Sequence, residues 1–247
     1  MTAGPASPTG FCWMDLKTRD LPGTAAFLTA ALGRRFAVDE DDPRRATKIS
    51  TGNGHRIGGV SDLAQPFYPP GTPAHIAYYL AVDDLDRRTD RALARGAGLV
   101  VPPFDAGDQG RMATLVDPEG AGVSLWQPYR FGGWRFPPGS PGTPHRMVLA
   151  CERPDRARRF YRDVTGTDLP AADFTDNHAD GTYAATGPAA PRWELAVGVD
   201  DLAAVAARVR EYGRGLASWP YDPDRSVLRL TSPEGLPLRV VRLRTRT

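Results

Sequence analysis

Four times along this chain a short β-rich run passes through a turn into an amphipathic helix, and that repeat limits the fold more than any other feature. The runs cover residues 11–16, 75–82, 147–151 and 193–199. Three of them lead to an Asp-Leu pair: Asp20-Leu21, Asp84-Leu85 and Asp201-Leu202. An aspartate there is a natural N-cap, because its carboxylate accepts the unpaired amides of the first helical turn. In the third segment Arg153-Pro154 takes that place, with Pro154 suited to the first helical position. Helices of about 12 to 14 residues are expected to follow. Ala26, Phe27, Ala30, Ala31 and Leu32 form one apolar stripe, and Leu202, Val205, Ala206 and Val209 another. Gly96-Ala97-Gly98 and Gly213-Arg214-Gly215 supply residues that tolerate a left-handed C-terminal turn.

Strand-like runs fill the rest of each segment: 99–101, 111–116 and 122–126 in the second, 215–219, 227–230 and 238–241 in the fourth. In both, the last two flank a turn of the same chemistry, Asp117-Pro118-Glu119-Gly120 and Ser232-Pro233-Glu234-Gly235. Gly52-Asn53-Gly54 is a hairpin signal in the first segment. The expected unit is therefore β-α-β-β-β, repeated in tandem four times in an α+β fold. Between Thr186 and Trp193 only six residues remain, so the third segment is expected to lose or shorten a strand. A Gly/Pro-rich stretch over 129–143 marks a linker, and its aromatics predict that it packs against a domain. This gives a tail over 1–9, a first domain over 10–128 and a second over 144–247.

A net charge of +2, with acidic and basic residues interleaved as in Asp84-Leu85-Asp86-Arg87-Arg88, argues against nucleic-acid or membrane partners. Cys12 and Cys151 each sit in an apolar run with no metal spacing, as small buried hydrophobes do. No apolar run approaches the roughly 20 residues that span a bilayer. No basic segment followed by an apolar one opens the chain, so a cytoplasmic location is the expectation.

Several stretches resemble the vicinal-oxygen-chelate superfamily, which includes glyoxalases, bleomycin-resistance proteins and dioxygenases. They are the run 13–20 with Phe27, the run 79–85, and above all 110–121 ending in Ser124-Leu125-Trp126-Gln127. Phe160-Tyr161 and Ser232-Pro233-Glu234-Gly235 are matching pieces in the second half. The resemblance implies two cupped barrels, each from a pair of modules, the second degenerate. It also implies inward strand positions that carry divalent-metal ligands in family enzymes. Here those positions are Trp13, Ala77 and Ser124, then Arg146, Glu194 and Arg239. Tryptophan, alanine and serine do not assemble a transition-metal site, and arginines beside Glu194 repel a cation. No metal and no cofactor are therefore expected.

Strand alternation puts Phe11, Trp13 and Asp15 on one face, with Ser124 and Trp126 sharing another. With His75, Tyr79, Phe104 and Met112 they form the expected ligand-binding set, aromatic with a few polar atoms. Of the histidines, His55, His145 and His178 show no ligand spacing. The resemblance implies a metal-independent binder of an aromatic, polyketide-like small molecule. In secondary metabolism it would serve sequestration and self-resistance, or act beside a tailoring oxygenase. Two alternatives stay open: a metal-dependent lyase, isomerase or dioxygenase using His75, Asp15 and Glu194, and a cofactor-independent enzyme with Asp15 or His75 as base. Monomer and homodimer are equally open.

Overall fold

The computed structural model describes residues 10–40, 42, 45–66, 68–169, 171–176, 183–184, 187–188, 190–219 and 226–243. The expected tail over 1–9 and His178 lie outside the described residues. The first segment comprises β1 (Gly10–Thr18), α1 (Leu21–Leu32), β2 (Arg35–Val38), β3 (Thr47–Ser50) and β4 (Arg56–Asp62). The second comprises β5 (His75–Ala81), α2 (Leu85–Ala94), β6 (Gly98–Asp105), β7 (Gly110–Val116) and β8 (Gly122–Pro128). The third runs β9 (Pro144–Cys151), α3 (Pro154–Thr165), β10 (Ala172–Asp176), β11 (Tyr183–Ala184) and β12 (Gly187–Pro188). The fourth runs β13 (Arg192–Val199), α4 (Leu202–Tyr212), β14 (Leu216–Ser218), β15 (Val227–Thr231) and β16 (Pro237–Arg242).

The local signals act as their chemistry requires. Asp20, Asp84 and Asp201 each accept an amide of the first turn of α1, α2 and α4, while α3 starts on Pro154 with no side-chain cap. Gly33, Gly166 and Gly213 end their helices in the left-handed conformation. The helices are 10 to 12 residues long, slightly shorter than expected.

Two mixed sheets result, of eight and six strands, and both are open, not closed barrels. The eight-stranded sheet takes β2-β3-β4-β1 from the first segment and β5-β8-β7-β6 from the second. In both segments the final strand returns parallel to the first, β4 beside β1 and β8 beside β5. The fourth segment repeats this with β16 parallel to β13. The third departs: β10, directly after α3, lies parallel to β9, in the place where the other segments put their last strand. Among the described residues, its two short strands, β11 and β12, pair with each other as a separate antiparallel sheet. The β-α-β-β-β unit therefore occurs three times, and the expected loss in the third segment is a rerouting.

The described residues gather into two compact units, each built from an even and an odd segment. One takes the chain up to Trp13, then Tyr78–Trp134 and Arg146–Trp193; the other takes Met14–Ala77, Arg135–His145 and Glu194–Thr247. In the first, α2 packs on α3, and in the second α1 packs on α4. The same polar device serves both. Arg88 of α2 donates to the carbonyl of Val164, one residue before the end of α3, at 3.0 Å. Arg208 of α4 donates to Ala31, one residue before the end of α1, at 3.0 and 3.1 Å. Each arginine satisfies a helix-terminal carbonyl left without an intrahelical partner.

Candidate functional site

Along β1, residues 12, 14, 16 and 18 are buried, while Phe11, Trp13, Asp15 and Lys17 keep partial exposure. The period of two thus divides the strand into a core face and a half-open face, as expected.

In the first unit, Trp13, Tyr79 and Met112 from β1, β5 and β7 pack with buried Trp126 of β8, Cys12 and Ala81. Phe131, from the linker, completes this group. Its ring stands edge-on to Trp13 with centroids 4.8 Å apart, and its carbonyl accepts the Trp126 indole N–H at 2.9 Å. Tyr79 meets Trp126 edge-on at 6.1 Å. Such edge-to-face pairs contribute about 0.5–1.5 kcal/mol each beyond area burial. The linker is held there by Trp134 N–H to the carbonyl of Cys12 at 2.8 Å, and a close approach of Gly133 (φ 87°) to Cys12 leaves no room for a side chain. Burial pushes the Cys12 thiol up to about 12, so it acts as a hydrophobe and not as a nucleophile.

Four of the expected ligand residues, Trp13, Tyr79, Met112 and Trp126, are therefore brought together. The other expected residues make contacts of their own. Phe11 packs edge-on against Trp193 at 4.6 Å. Ser124 is buried, with its hydroxyl 2.9 Å from that of Thr114. Phe104 faces solvent opposite Met112. His75 is exposed at the start of β5, its Nδ1 2.9 Å from the carbonyl of Pro73.

In the second unit, Asp15 is engaged by Lys17 and by the Ser61 hydroxyl, which donates to it at 2.7 Å. Lys17 also donates to Ser61 at 3.1 Å and to the Tyr68 hydroxyl at 2.9 Å. The parallel register of β1 and β4 sets Lys17 beside Ser61. Phe131, Lys17, Ser61 and Tyr68 were not anticipated. For Lys17 the signal was available, since it continues the half-open face of β1. Phe131 and Tyr68 lie in connections that carry no periodicity.

The remaining family ligand positions hold an ion pair instead of a cation cradle. Glu194 is buried and accepts from Arg239 at 2.7 Å, with Arg229 at 3.5 Å. The arginine expected beside it, Arg146, instead pairs with Asp173 at 2.5 Å, because β10 lies next to β9. Among the described residues no group of three or more His, Cys, Asp or Glu side chains gathers in one place. With Trp13 in an aromatic group, Ser124 hydrogen-bonded and Glu194 neutralised by arginine, these positions do not fit a divalent metal.

A second aromatic cluster supports the first unit. Tyr161, fully buried on α3, donates to Asp117 at 2.8 Å and accepts from the Trp193 indole at 2.7 Å. Burial pushes the Asp117 carboxyl above its ordinary range and the Tyr161 phenol well above its own.

Similarity to known proteins bears on this arrangement. The model of the glyoxalase-like domain matches residues 13–126 and 146–241. The putative glyoxylase CFP32 of Mycobacterium bovis is 30% identical over 226 residues, covering 85% of either chain. The anthracycline biosynthesis protein DauV of Streptomyces sp. (strain C5) is 28% identical over 262 residues, 96% of this chain and 94% of that one. Among solved structures, the Mn(II)-bound glyoxalase from Novosphingobium aromaticivorans superimposes with a TM-score of 0.60. That alignment covers 96% of this chain and 83% of the other at 14% identity, a likeness of fold alone.

Proposed function

This chain belongs to the glyoxalase-like domain family, and on that premise we propose that it binds a planar aromatic small molecule of polyketide type without a metal. The observation that carries the proposal is the replacement of a metal-ligand position by Trp13, set among Tyr79, Met112, Trp126 and Phe131. Partly buried aromatic groups offer a planar ligand edge-to-face and stacking contacts that aliphatic walls do not. The likeness to a protein named for anthracycline biosynthesis supports a place in secondary metabolism. In that setting the protein sequesters its ligand in the cytoplasm for self-resistance, or hands it to a tailoring oxygenase.

The test is a titration of metal-stripped protein with anthraquinone-2-carboxylate, followed by tryptophan fluorescence. Quenching with a Kd on the order of micromolar, unchanged by added Mn(II), is expected. Binding that appears only after metal is restored contradicts the proposal.

A further inference from the structure

The aromatic group of the first unit is completed from outside the strands, by Phe131 of the linker. Phe131 brings two kinds of atom to it. Its ring stands edge-on to Trp13 at 4.8 Å and to Trp126 at 6.1 Å, and its carbonyl accepts the Trp126 indole N–H at 2.9 Å. A ring and a carbonyl oxygen are thus offered together, by one short piece of chain, to a wall supplied by β1 and β8. That piece is pinned at both ends. Before it, the amides of Tyr129 and Phe131 donate to the carbonyl of Gln109 at 3.0 and 3.1 Å; after it, the amide of Trp134 donates to Cys12 at 2.8 Å. Between the pins lie Gly132 and Gly133, the residue type with the widest backbone freedom. The ion pair of Arg130 with Asp108, at 3.1 Å, is largely exposed and adds little. A segment held by so few bonds opens locally at lower cost than the sheet beneath it.

We propose that Phe131 is a built-in surrogate for the ligand: its ring and carbonyl oxygen hold the place of an aromatic carbonyl compound, which displaces it and takes over the Trp126 N–H. An indole has one proton to give, and leaving it unpaired in a buried place costs free energy. Trp126 is 6% exposed, so a ligand that lifts Phe131 must return an acceptor at that point. A polycyclic hydrocarbon without an oxygen on its edge satisfies Trp13 but not the indole. Trp126 is therefore the residue that selects the carbonyl. Phe131 is an intramolecular competitor, whose occupancy lowers the apparent affinity by the fraction of open sites. The inference rests on the proposed binding of planar aromatics, and adds the carbonyl group as its specificity element and Phe131 as the group displaced.

A matched pair of probes and two variants test it by calorimetric titration. Anthraquinone-2-carboxylate and anthracene-2-carboxylate share a three-ring frame and a carboxylate, and differ in two carbonyl oxygens. The unaltered protein is expected to favour the quinone by about tenfold, the worth of one good hydrogen bond to a buried donor. Trp126→Phe keeps an aromatic ring without the N–H and should bring that ratio close to one. Phe131→Ala, a change in the linker and outside both sheets, removes the competing ring. It should tighten both compounds by about five- to tenfold and keep the quinone preference. Weaker or unchanged binding by Phe131→Ala, equal affinities in the unaltered protein, or a preference that survives Trp126→Phe overturns the inference while the aromatic-binding proposal stands. Failure of both compounds to bind, to the unaltered protein and to Phe131→Ala alike, overturns both.

Discussion

A fully buried tyrosine hydroxyl costs free energy unless it is engaged, and Tyr161 meets that need twice. Its proton goes to Asp117 of the β7–β8 turn, and its oxygen takes the proton of Trp193 on β13. Tyr161→Phe keeps the ring contacts but leaves the Trp193 indole and one Asp117 oxygen without that partner. A loss of about 1–3 kcal/mol is expected in urea denaturation. A change within about 0.3 kcal/mol would show that solvent reaches the network. The sequence makes Phe160-Tyr161 visible as a family piece, but not its partner 44 residues away. The site shows the same division. Trp13, Tyr79, Met112 and Trp126 follow from strand alternation. Phe11 obeys the same alternation yet meets Trp193, because alternation fixes a face and not the neighbour that covers it. Phe131 and Tyr68 follow from nothing periodic.

At the scale of elements, the two Pro-Glu-Gly turns each reach the start of another segment's helix. Glu119 meets Arg153 at the N-cap of α3, at 3.2 Å. Glu234 accepts from the hydroxyls of Thr18 and Thr24 and from the amide of Arg19, around the start of α1. A carboxylate there satisfies donors and complements the helix dipole. Burial pushes the Glu234 carboxyl up, but those donors together outweigh it and hold it below the ordinary value. The folded pKa is thus lower than the unfolded one. Its contribution is present above the ordinary carboxylate range and is lost as pH falls through the depressed folded value. Glu234→Gln should therefore flatten the decline of the urea midpoint from about pH 5 to about pH 3. An unchanged slope would assign the acid sensitivity to other carboxylates. Caps and glycine turns were legible at this scale because they are local. The rerouting of β10 was not, since strand pairing is decided by distant neighbours, and six residues between Thr186 and Trp193 indicate only that something is missing.

For the whole molecule, the fourfold repeat made the α+β class legible, but the two cupped barrels that the resemblance implied are two open sheets. The repeat did not show that the compact units pair segment two with three and segment one with four. That pairing follows from helix faces and turn carboxylates that look like ordinary solvated positions in the sequence. The change at the family's metal positions was legible in the residue types, Trp13 and Ser124 in one half and arginines around Glu194 in the other. Arg239 does hold Glu194, while Arg146 pairs with Asp173. On the proposed function an aromatic group, and not a metal, receives the ligand. Calorimetric titration of metal-stripped Trp13→Ala with anthraquinone-2-carboxylate, beside the unaltered protein and after a circular-dichroism check of folding, tests it most directly. Affinity is expected to fall about tenfold, the loss of one aromatic contact partner. Undiminished affinity in the folded variant would contradict it.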